Sequence, residues 1–180
     1  NLYENIRSME INFELGGCLI ALCYSPREKN ELLLREGLEI LMDNIILSKE
    51  RNLFRYSWIS KYVYTLDFFK ILKEDSILKK YRKELIIKII DIIKENKETN
   101  QYAVTFEALS SLYGMGESKI LKNYIWSQFL KLNEMYQEYR IKETEKEDQR
   151  SVFFYKFSDG KSRLDITGHI LNGLFVYLDQ

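Results

Sequence analysis

One proline and eight glycines in 180 residues constrain this chain more than any other feature. A sheet protein of that length needs far more turn residues, so so few chain breakers predict helices. The proline fits that reading, because Ser25-Pro26-Arg27-Glu28 has the form of a capping box with proline at the first helical position.

The apolar residues then fall into alternating kinds of helix. Asn12–Cys23 is apolar nearly all the way round, which predicts burial on more than one side, with Gly16 and Gly17 permitting close approach. The next helix carries one stripe at Leu34, Leu38, Leu41 and Ile45. Arg55–Leu72 is aromatic-rich, and Ile77–Ile93 is amphipathic through Leu78, Tyr81, Leu85, Ile89 and Ile93, with Asp75 or Ser76 able to cap it. Gln101–Met115 is an apolar helix stopped at Gly114-Met115-Gly116. Ser118 can cap its long partner, whose stripe is Leu121, Ile125, Phe129, Leu132, Tyr136 and Tyr139. Lys142–Arg150 reads as a solvated helix end or loop, Ser151–Phe157 as an extended segment, Ser158–Lys161 as a turn, and Ser162 as the cap of a last helix.

Four of these segments share a frame. Asn12-Phe-Glu14, Thr65-Leu-Asp67, Thr105-Phe-Glu107 and Thr167-Gly-His169 each set a small polar residue two positions before an acid or the only histidine, then run into apolar sequence. The frames start at 12, 65, 105 and 167, hence 53, 40 and 62 residues apart, an irregular repeat of helical hairpins. The expected fold is all-α: stacked helical hairpins forming a partial or open α/α toroid, as a single domain over residues 1–180 that could belong to a larger ring.

Composition narrows the function. Hydrophobic residues at 46% with 30% charged describe a globular chain. Twenty-seven basic residues balance 27 acidic ones, so no net field draws nucleic acid. No apolar run is long enough to span a membrane, and no signal segment opens the chain, which leads to the expectation of a cytoplasmic protein or an excised part of a larger one. Cys18 and Cys23, five apart on one helix, point to different faces and are expected as reduced thiols. Covalent catalysis and nucleotide binding have no motif behind them.

Tyr102-Ala-Val-Thr105-Phe-Glu-Ala-Leu109-Ser-Ser-Leu112-Tyr and Arg163-Leu-Asp165-Ile-Thr167-Gly-His-Ile-Leu171 resemble inner-helix repeats of α/α toroids of the prenyltransferase and squalene-cyclase-like group. The resemblance implies inner helices that face a common interior. It does not extend to the chemistry. The acidic DxDD cluster of the cyclases is absent, and the zinc ligands of prenyltransferases and lanthionine cyclases have no counterpart beyond Cys18 or Cys23 with His169, so neither a metal nor another cofactor is expected.

Two functional readings follow. The first is a binding or scaffold module with a concave, aromatic-lined inner surface for a peptide, glycan, small apolar ligand or partner protein, using Trp58, Tyr62, Tyr102, Tyr113 and Asp165. The second is an α/α-toroid enzyme, either a carbohydrate-active acid–base catalyst on Glu107 and Asp67 or a cyclase-like one on His169, with Glu14 completing the set of frame positions. Oligomeric state is left open by both.

Overall fold

The computed structural model describes residues 13–25, 30–47, 51–72, 75–116, 118–144 and 164–179. Among them are seven helices and no strand: α1 Phe13–Cys23, α2 Asn30–Leu47, α3 Leu53–Phe68, α4 Asp75–Ile93, α5 Thr99–Gly114, α6 Lys119–Thr144 and α7 Leu164–Leu178. The fold is therefore all-α. Pro26–Glu28 of the expected capping box, the extended segment Ser151–Phe157, the turn after it, the Ser162 cap and most of the charged run lie outside the described residues; α6 itself reaches Thr144.

The chain divides into two compact units, with the boundary between Lys88 and Ile89 inside α4. In the first, α1 packs against α3 and α2, and α2 touches α3. The stripe Leu34, Leu38, Leu41 and Ile45 is buried, as its spacing predicts, together with Leu15 and Leu19 of α1. Gly16 brings the α1 backbone onto α3: a Cβ there would sit 3.2 Å from that of Trp58, whereas one on Gly17 would meet only ordinary contact at 3.9 Å. Tyr62 is buried in this core, and its hydroxyl donates to the Leu34 carbonyl at 2.6 Å, tying α3 to α2. Burial raises that phenol well above its ordinary value, as it raises the Cys23 thiol to about 12.

The ends of α3 have distinct causes. Asn52 caps it, its Oδ1 accepting from the N–H groups of Phe54 at 3.1 Å and Arg55 at 3.4 Å. At the other end Ile71 N donates to Leu66 O at 3.1 Å and Lys70 N to Asp67 O at 3.0 Å, the paired bonds of a Schellman turn. Lys70 holds the left-handed position at φ 50°, where glycine would be unstrained.

In the second unit α5 lies against both α6 and α7. Ala103 through Tyr113 are buried without a break, which explains why this helix shows no polar face in sequence. Gln101 caps its start by accepting from the Glu98 N–H at 3.1 Å and the Lys97 N–H at 2.8 Å. It ends at Gly114, with Gly116 at φ 153° donating to Tyr113 O at 2.9 Å. Ser118 caps α6 through the Leu121 N–H at 3.4 Å. Leu121, Ile125 and Leu132 of the expected stripe are buried.

Candidate functional site

The chemistry-bearing side chains of the second unit gather where α7 crosses α5. Glu107 stands in the middle of the buried run of α5 and is 1% exposed. A carboxylate removed from water to that degree needs partners for both oxygens. Oε2 lies 2.5 Å from His169 Nδ1, and Oε1 accepts from Asn172 Nδ2 at 2.9 Å. His169 and Asn172 are three residues apart, so one face of α7 supplies both groups.

The close approach has its own cause one residue on. A Cβ at Gly173 would stand 2.6 Å from Phe106 Cδ1 and 3.1 Å from Glu107 Cα, so only glycine lets α7 settle this near to α5. Ser111 on α5 donates back to the Glu107 carbonyl at 2.9 Å, while the buried Ser110 hydroxyl has no hydrogen-bond partner among the described residues.

With the carboxylate ionised, Nδ1–H donates to it and the ring is fixed in one orientation and tautomer, leaving Nε2 as the nitrogen that can exchange a proton. Both carboxylate oxygens of Glu107 are engaged in these hydrogen bonds. Among the described residues no three His, Cys, Asp or Glu side chains gather as a metal's ligands do.

The frame residues thus separate. Glu107 and His169, which share a place in the repeat, are hydrogen-bonded. Asp67 is instead paired with Lys70 at 3.0 Å in the exposed turn that ends α3. Glu14 belongs to α1, and its side chain is outside the described residues.

The aromatic candidates are occupied by packing. Trp58 is half-buried with Lys61 Nζ 4.0 Å from its ring centroid. Tyr62 is fully buried and presents no face to a ligand. The Tyr102 hydroxyl donates to Asn96 O at 2.8 Å, within a polar network in which Asn96 Nδ2 donates to Thr105 Oγ1 at 2.9 Å and Thr105 Oγ1 to Gln101 O at 2.6 Å. Tyr113 is buried with its ring 5.5 Å from that of Tyr177. Asp165 is exposed in the first turn of α7, where an acid complements the helix dipole.

Sequence reasoning passed over Asn172, although its spacing from His169 announces a shared face. It also passed over Tyr24, whose ring meets that of Phe69 edge to face at 5.0 Å, with Phe68 5.2 Å from Phe69 and Tyr64 5.8 Å from Phe68. Tyr24 is 69% exposed and Phe68 58%, so this aromatic chain at the C-terminal ends of α1 and α3 is open to solvent. Comparison with protein-family models, curated proteins and solved structures finds no match to the chain.

Proposed function

We propose that the chain is a binding or scaffold module of α/α-hairpin repeats, a partial or open toroid as its likeness to the prenyltransferase and squalene-cyclase-like repeats implies. Its partner is a protein or peptide rather than a substrate. The observation that carries this reading is the aromatic chain Tyr24–Phe69–Phe68–Tyr64, whose first three rings are exposed and whose last is half-buried. Contiguous aromatic surface left in water is unfavourable unless something covers it, and large, stiff rings are the usual anchors of protein interfaces. Tyr62 and Tyr113, expected to line an inner surface, are taken up by the core, so neither is available to a partner. Two free thiols, one of them the exposed Cys18, suit a reducing cytoplasm.

A phage-displayed peptide library panned on the wild-type chain tests the reading. It should enrich apolar or aromatic peptides whose affinity falls at least about tenfold on Tyr24→Ala with Phe68→Ala, a loss in the range of interface anchors. No enrichment, or enrichment indifferent to those two changes, overturns it.

A second reading, an acid–base enzyme of toroidal type, draws on His169, whose Nδ1 is held by Glu107 while its side chain keeps 17% exposure. It requires turnover in a panel of glycans and isoprenoid substrates that His169→Gln abolishes; a silent panel removes it.

A further inference from the structure

Helix α7 is apolar on two opposite faces. Ile166, Ile170 and Gly173 are buried toward α5, with His169 on the same side, as a helix packed at one face requires. On the far side Leu171, Phe175 and Leu178 follow at spacings of four and three, and are 47%, 68% and 75% exposed. At 100° per residue these three fall in one stripe, nearly half a turn from the buried face. Gly168 belongs to that stripe too, and it differs from Gly173. A Cβ added at Gly173 would collide with Phe106, whereas one added at Gly168 would meet nothing within 4 Å. Among the described residues no packing contact calls for glycine at 168, where alanine would favour the helix by about 1 kcal/mol.

We infer that this face of α7 binds the same face of a second copy, with the helices antiparallel and the two-fold axis beside residues 171 and 172. The pattern is self-complementary. Gly168 and Phe175 are seven residues apart on one stripe, the knob two turns from the hole, and an axis midway between them sets Phe175 of each copy over Gly168 of the other. Leu171 then lies near the axis facing its equivalent, and Leu178 covers the first turn of the opposite helix.

Area fixes the strength of the pair. With full side-chain areas of roughly 200 Å², the three exposed residues offer on the order of 400 Å² per copy, so pairing buries about 800 Å², below the roughly 1,200 Å² of stable interfaces and in the range of weak, transient ones. A reversible dimer follows, filling only at high concentration. The inference is independent of the aromatic patch on α1 and α3, which none of its tests alters.

Sedimentation equilibrium from about 10 µM to about 1 mM, a range chosen for a weak pair, should show the mass of wild type rising toward that of two chains. Phe175→Ala removes the knob and Gly168→Phe fills the hole, and each should weaken association at least about tenfold. Combined, the two changes exchange knob and hole and should recover most of the loss. Far-ultraviolet circular dichroism of the dilute monomers checks that the helices persist, which the open space at Gly168 favours. A chain that stays monomeric throughout, as it would if the face were reserved for a different protein, overturns the inference. So does a dimer indifferent to both single changes, or a double variant no better than the singles.

Discussion

Thr65–Asp67 in the first unit and Thr105–Glu107 in the second are the same three-residue frame in two surroundings. Both threonines are buried, and both donate to the carbonyl four residues back, Thr65 to Lys61 at 2.7 Å and Thr105 to Gln101 at 2.6 Å. The acids two positions on part company. Asp67 reaches the last turn of its helix and pairs with Lys70 in solvent, whereas Glu107 sits mid-helix beneath α7 and is held by His169 and Asn172. What these two frames share is thus the threonine, a polar residue that a buried helix accommodates through its own backbone, whereas the Thr167 hydroxyl has no hydrogen-bond partner among the described residues. What the acid does is decided by the helix that covers it.

If that distinction is right, removing the partner of each acid should have very unequal effects. His169→Ala removes the hydrogen bond to Glu107 Oε2 while the carboxylate stays buried, and should destabilise by about 3 kcal/mol in urea unfolding. A loss under about 1 kcal/mol would mean that the carboxylate is not held by the imidazole. Gly173→Ala tests the approach that creates the burial. The new methyl has to displace Phe106 and press on the α5 backbone, for a loss of about 2 kcal/mol in the same assay, while Gly168→Ala on the same helix should add stability.

In the first unit the Cys23 thiol supplies a pH-dependent contrast. Its pKa is raised from 9.0 to about 12 by burial, so the folded state keeps its proton where the unfolded chain gives it up. The stability tied to this group is complete below about pH 9 and is lost as pH climbs toward 12. The gap in urea midpoint between wild type and Cys23→Ala should therefore narrow from pH 8 to pH 10.5; a constant gap would place the thiol in contact with water. Lys70→Gly should stabilise by about 1 kcal/mol by relieving the left-handed residue, despite losing the ion pair. Asp67→Ala, the smallest change, should shift stability by less than about 0.5 kcal/mol, as exposed pairs do.

These contrasts also mark how far the sequence could be read. The stripes Leu34–Ile45 and Leu121–Leu132 and the Ser118 cap were legible, because helical period and cap chemistry are local. Two helix ends were less so. The first turn of α5 is fixed by Glu98 with Gln101, and α3 is closed by a lysine where glycine is usual, so neither end carries its customary signal. Aligning Glu107 with His169 in one frame anticipated that both would face an interior, and they meet. That one is the other's direct hydrogen-bond partner depends on α7 crossing α5 at Gly173, a contact between residues more than 60 apart, which no local pattern encodes.

That separation has a consequence for how the second unit assembles. The hairpin of α5 and α6 needs only a short loop to close, whereas α7 must return across a long stretch of chain, a slower search. A hairpin formed before α7 docked would leave Glu107 in water. Its carboxylate is stripped of water only when the last helix docks, and His169 and Asn172 arrive in the same step that makes them necessary. A chain stalled at the hairpin stage would show an open acidic spot in an otherwise apolar groove, a surface on which a misplaced greasy helix would find a charge instead of a seat.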